Sequence, residues 1–190
     1  MLHLYLIRHG ETDSNIAARH LGHTDIAMND TGQSQVAKLK QYFKDIPLDA
    51  IYVSDLKRTV DTARQLGELF VLTPKLRERN FGIFEDLTFA EIVAQYPDLQ
   101  KQWQADWIDY VIPHGESART VFDRNAQAVA DILAKHQTGH VAVVTHLGVI
   151  RNVLAYLCEM PIAGAWHFRV ENASVTRVDI QDGYAVLQFQ

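Results

Sequence analysis

Cysteine is nearly missing from this sequence: Cys158 stands alone among 190 residues. One thiol can form neither an internal disulfide nor a zinc cluster, so the chain is expected in a reducing compartment, the cytoplasm. Proline is scarce, at 5 residues, and there are no repeats, low-complexity runs or Pro/Gly/Ser linkers. No boundary is therefore placed, and residues 1–190 are read as a single domain, large enough to bury roughly 70% of its unfolded surface. No apolar run approaches the ~18 residues of a membrane span. Met1 leads straight into a strand-like segment without a basic leader, so neither membrane insertion nor secretion is expected. Basic charge is also in deficit, with 18 Lys+Arg against 23 Asp+Glu and a net charge of −5. A broad nucleic-acid surface needs the opposite balance, so no nucleic-acid partner is expected. Neither a P-loop nor a Gly-x-Gly-x-x-Gly fingerprint follows the first strand, which removes nucleotide triphosphates and dinucleotides from consideration.

What is present is ordinary globular material, 47% hydrophobic and 22% charged. Apolar runs at Leu2–Ile7, Ala50–Val53 and His140–Thr145 read as buried strands. Between them, helices are expected over Thr31–Phe43, with Val36, Leu39 and Phe43 inward, and over Leu56–Leu69. A third runs over Ser117–His136, with Phe122, Ala126, Val129 and Leu133 inward, and a fourth over Leu147–Leu157. Thr88-Phe89-Ala90-Glu91 matches a capping box, and Pro97 marks the end of the helix it starts. The tail reads as short strands at Phe168–Val170, Val175–Val178 and Ala185–Leu187, the last two joined at Asp182-Gly183. The alternation predicts an α/β fold, a three-layer α/β/α sandwich with a mixed, mostly parallel sheet. Ligands in such sheets bind beyond the carboxyl ends of the strands.

Those ends carry Arg8-His9-Gly10-Glu11-Thr12, Ser54-Asp55-Leu56-Lys57-Arg58 and Thr145-His146-Leu147-Gly148. Two arginines can fork onto phosphate oxygens, and a neutral imidazole is a competent nucleophile near pH 7. Gly10 and Gly148 allow close backbone approach, and amides at the following helix starts can face an anion. Together these are the parts for phosphoryl transfer to a histidine.

The segment Leu6–Thr12 followed by Asn15 resembles the signature of the histidine phosphatase superfamily, the phosphoglycerate mutase-like proteins. The similarity continues in order through Gly22–Asp25, Ser54–Thr59, Gly115–Ser117, Thr145–Arg151 and Asn172–Ser174, over nearly the whole chain. The resemblance implies that His9 is the nucleophile. It puts Arg8, Arg58 and His146 around the phosphoryl oxygens, with Asn15, Gly10, Thr12 and Leu147 as further phosphate or substrate contacts. Leu76–Gly82 resembles the segment that carries the general acid, which points to Glu78; Glu85 also resembles a family position and is read as a structural partner. The chain departs from the family at Leu147 and Asp86, where glycine is common.

The same resemblance implies no cofactor and no metal, since arginine and histidine supply the electrostatics. His20 and His23 flank Gly22 without the spacing of paired zinc ligands and are read as surface or rim residues. The expected partner is a small-molecule phosphate ester, with a homodimer left open. Trp103–Pro113 and Met160–Val170 further resemble α-ribazole phosphatases. Phe84, Trp103, Trp107 and Tyr110 are then candidates for an aromatic rim, the alternative being core packing, while Trp166 and Phe168 are read as core. A broad phosphatase, a mutase-type enzyme and a non-catalytic phospholigand binder are the rival readings.

Overall fold

The computed structural model describes residues 1–188. Six strands form one sheet in the order β3-β2-β4-β1-β5-β6. These are β1 (Leu2–Arg8), β2 (Ala50–Val53), β3 (Val71–Leu72), β4 (Gly139–Thr145), β5 (Val175–Gln181) and β6 (Tyr184–Gln188). The first four run parallel, and β5 and β6 are antiparallel additions on the β1 side. The mixed, mostly parallel α/β sheet expected from the alternation is the one observed.

Strand residues alternate between two cores because successive side chains point to opposite faces. Leu2, Leu4, Leu6, Val141 and Val143 face one way, against α6 (Ala118–Lys135) and α7 (Leu147–Leu157). Tyr5, Ile7, Ala142 and Val144 face the other way, against α2 (Asp30–Tyr42) and α3 (Lys57–Ala63). Short α1 (Asp13–Ile16) follows β1. A third cluster, Phe84, Ile92 and Ile112 with Trp103 and Tyr96 against it, consolidates the excursion that carries α4 (Phe89–Gln95) and α5 (Pro97–Ala105). Thr88 and Glu91 cap α4 reciprocally, and Pro97 both follows that helix and opens the next.

Several local expectations need correction. α3 ends at Ala63, and the turn beyond it leads past an exposed Leu69 into β3. The buried face of α6 is Val121, Asn125, Ala128, Val129 and Ile132, one position round from the apolar face expected. Asn125 can be buried there because its Nδ2 donates to the Lys75 carbonyl and its Oδ1 accepts from Asn152. Phe168–Val170 is not a strand, since side chains claim its carbonyls: Arg151 Nε donates to Phe168 O and Arg8 Nη1 to Val170 O. Trp166, expected in the core, sits 66% exposed on a 3-10 turn spanning Ile162–His167. Cys158 is half-buried at the end of α7.

Register places the chemistry. Arg8 on β1 pairs with Thr145 on β4, so the residues that follow, His9 and His146, emerge side by side with ring centroids 5.2 Å apart. Val53 on β2 pairs with Val144, which brings Ser54 next to the same pair.

Candidate active site

His9 is held from both sides. Its amide donates to Thr145 O, and its carbonyl accepts from Ala173 N and Asn172 Nδ2. The ring Nδ1 lies 2.7 Å from the Gly10 carbonyl. A carbonyl only accepts, so Nδ1 carries the hydrogen and Nε2 keeps its lone pair. Burial first, then the Arg58 and Arg8 charges, push this imidazole well below the usual histidine range. The ring is therefore neutral at pH 7 with a free lone pair.

Around it lie cations with unspent donors. Arg58 has no exposed surface; its Nη1 donates to Thr24 O and its Nη2 to Gly22 O. Burial lowers its pKa to about 10, with Glu78 opposing, so it stays charged. Arg8 is anchored by Val170 O. His146 pairs its Nε2 with Ser54 Oγ at 2.8 Å. Arg8 Nε, Arg58 Nε and His146 Nδ1 are all buried and have no partner among the described residues. An unsatisfied buried donor costs ~1–3 kcal/mol, so two guanidinium donors in one site call for an anion that supplies the acceptors.

Glu78 is nearly buried, and its carboxylate accepts from Arg79 N at 2.9 Å and Gly148 N at 2.8 Å. Glycine at 148 leaves room for that contact, because a Cβ there would overlap Glu78 Oε1 and displace the carboxylate. Its loop is clamped by Arg124, which donates to the carbonyls of Lys75, Arg77 and Glu78 and pairs with Glu116. Glu85 is different. Its two oxygens accept from the amides of Gly22, His23, Thr24 and Phe81 and from Thr24 Oγ1, leaving no capacity for a substrate.

Two cavities adjoin here. The smaller, about 220 Å³, is lined by Arg8, His9, Asn15, Glu78, Leu147 and Arg151 among others. Asn15 Oδ1 already accepts from Thr12 N and Asn172 Nδ2, so its Nδ2 is the group left to meet a ligand. The larger, about 370 Å³, is apolar and aromatic, with Phe81, Phe89, Trp103, Trp107 and Trp166 in its walls. Arg79 stacks on Phe81 and Trp103, and Arg151 on Trp166.

The structure brings His9, Arg8, Arg58, His146, Glu78, Asn15 and Leu147 together. Arg58 and His146 line neither cavity but act on His9 from behind it, by charge and by ring contact, whereas Gly10 and Thr12 do not reach either cavity. Gly10 is a packing glycine: its amide donates to Thr62 Oγ1, and a Cβ would meet Met28 Sδ at 2.5 Å and Gly32 O at 2.6 Å. Thr12 is fully buried and caps α1 in a reciprocal box with Asn15. Of the rim candidates, Trp103 and Trp107 line the larger cavity, whereas Phe84 is core and Tyr110 packs against that core. His20 lines both cavities; His23 instead pairs with the Glu78 carbonyl. Asp86 adopts φ +55°, a left-handed conformation that glycine takes without a Cβ penalty. Arg151, Arg79 and Ser54 were not singled out from sequence. Arg151 could have been, since it follows Leu147 by one helical turn and so shares its face.

Residues 4–190 match the family model described as the histidine phosphatase superfamily, branch 1. The adenosylcobalamin/alpha-ribazole phosphatase of Salmonella typhimurium is 30% identical, over 98% of this chain and 95% of its own. A metal-independent phosphoserine phosphatase of Arabidopsis thaliana is 33% identical, over 94% of this chain and 76% of its own. The crystal structure of an alpha-ribazole phosphatase from Shigella flexneri superposes with a TM-score of 0.91 at 28% identity, covering 98% of this chain and 94% of that one.

Proposed function

The chain belongs to the histidine phosphatase superfamily, and we propose that it hydrolyses α-ribazole 5′-phosphate through a phosphohistidine at His9. The observation that carries this reading is the join of the two cavities. His9 and Arg8 line one, with buried Arg58 and His146 beside the imidazole, and the other is an aromatic chamber that continues from it. Such a shape suits a phosphate monoester whose body ends in a flat apolar ring, and the dimethylbenzimidazole of α-ribazole is one. The relatives named for α-ribazole phosphatase support the same substrate. The reaction would then serve the assembly of the cobalamin nucleotide loop.

In the first step Nε2 of His9 attacks phosphorus in line, and the bond to the ester oxygen breaks. Arg8, Arg58 and His146 hold the three non-bridging oxygens as the charge on them shifts, with the Asn15 amide beside them. Glu78 gives its proton to the departing oxygen. In the second step a water oxygen attacks phosphorus, its proton passes to the Glu78 carboxylate, and the P–N bond breaks to restore the Nε2 lone pair. The balance closes at ester plus water giving alcohol plus phosphate.

The test is steady-state phosphate release from α-ribazole 5′-phosphate, 3-phosphoglycerate, phosphoserine and p-nitrophenyl phosphate without added metal. A kcat/KM preference of ~10³ for the ribazole ester, about 4 kcal/mol of discrimination, is the expected result. Similar low rates on all four would remove the ribazole substrate while leaving the phosphatase chemistry.

A further inference from the structure

The six residues common to both cavities, His20, Glu78, Phe81, Gly148, Arg151 and Trp166, form the waist between phosphate and ring. Any substrate that spans the two must pass its linker through them. Phe81 and Trp166 present aromatic rings and Gly148 presents backbone. Arg151 offers donors only, its Nε already given to Phe168 O. Glu78 is occupied by two amides and by its place at the departing oxygen. That leaves His20 as the remaining side-chain acceptor.

His20 is set up to accept. Its Nδ1 is 3.0 Å from the Leu87 carbonyl, so Nδ1 carries the hydrogen and Nε2 bears the lone pair. Its backbone N–H donates to Leu87 O and its carbonyl accepts from Asp86 N, which fixes the residue at both ends. The ring is wedged edge-on between Phe81, at 5.2 Å, and Trp103, at 5.6 Å. A rigid acceptor at the waist is placed to take a donor from the linker of any substrate that spans the two cavities.

We propose that His20 is a specificity-determining residue, whose Nε2 accepts a hydrogen bond from a linker hydroxyl and so selects polyol-linked esters over esters joined by a plain alkyl chain. This rests on the reading of the larger cavity as a substrate-ring site, and it names the middle of that substrate as a sugar-like, hydroxyl-bearing unit.

The experiment is a cycle of two proteins and two esters. Wild type and His20→Phe, which keeps the ring packing and removes the acceptor, are assayed on α-ribazole 5′-phosphate and its 2′,3′-dideoxy analogue. Wild type is expected to favour the hydroxylated ester by ~10-fold, the scale of one hydrogen bond, and His20→Phe to lose that preference while keeping its rate on the dideoxy ester. His20→Gln, which retains an acceptor, is expected to restore part of it. An equal loss on both esters, or an undiminished preference in His20→Phe, would overturn the proposal. The same cycle on adenosine 5′-phosphate and its dideoxy form keeps the two readings separate. A hydroxyl preference there that vanishes in His20→Phe supports the role of His20 even if α-ribazole phosphate proves a poor substrate.

Discussion

Gly148→Ala is a perturbation of one methyl group whose consequence is worked from the site itself. The new Cβ would overlap Glu78 Oε1 and lie 3.1 Å from Cδ and Oε2, so the carboxylate has to withdraw. Withdrawal breaks the 2.8 Å bond from the Gly148 amide, a charge-assisted contact of ~1.5–3 kcal/mol. If the acid loses that much support in the transition state, kcat/KM on an alkyl phosphate falls roughly ten- to a hundredfold. Stability falls by less than the lost contact, because alanine recovers ~1 kcal/mol over glycine in a helix and residue 148 is helical. The expected Tm is lower than wild type by no more than about 8 °C. On p-nitrophenyl phosphate, whose leaving group needs little protonation, the loss should be several-fold smaller. An unchanged rate on the alkyl ester, or equal losses on both esters, would refute the role assigned to Glu78 and its glycine neighbour.

Further outcomes follow from the same geometry. Arg124→Ala frees the carbonyls of residues 75, 77 and 78 and is expected to reproduce the leaving-group dependence of Gly148→Ala, read as a steeper fall in kcat/KM with leaving-group pKa. Glu85→Ala strands the donors of Gly22, His23, Thr24 and Phe81 and should cost more than ~3 kcal/mol in urea unfolding, whereas Glu78→Gln, which keeps an acceptor for one of its two amides, should cost less. His9 and His146 are held neutral by burial, so their folded pKa values lie below the unfolded value of ~6.5. The unfolded chain then binds more protons below pH 6.5, and stability falls as pH drops from that value toward the folded pKa values. Thermal scans from pH 7.5 to 5.5 should show a declining Tm, and a flatter decline in His9→Asn; an unaltered slope would contradict the neutral assignment.

The strand ends were legible because each apolar run stops abruptly at charged residues, at Arg8-His9, Ser54-Asp55 and Thr145-His146, and parallel pairing aligns such stops. The choice between Glu78 and Glu85 was not settled by pattern. It turns on where the surrounding amides point, and those come from residues 22–24, more than 60 positions from Glu85 in the chain. The face of α6 shifted because a buried asparagine, satisfied by Lys75 O and Asn152, counts as polar in any periodicity. Phe168–Val170 has strand-like composition, but arginine side chains take the carbonyls a ladder would need. The aromatic chamber is the least legible feature. Trp103 and Trp107 were candidates for its rim, but Phe81, Phe89 and Trp166 join them from other segments, and no local spacing announces that they meet.

Transfer through His9 makes a stereochemical commitment. Each in-line displacement inverts phosphorus, so two displacements restore the starting configuration. A phosphorothioate monoester made chiral with oxygen isotopes and hydrolysed in labelled water should therefore give thiophosphate with net retention. Net inversion would mean that water attacks the ester directly, and His9 would not be the nucleophile.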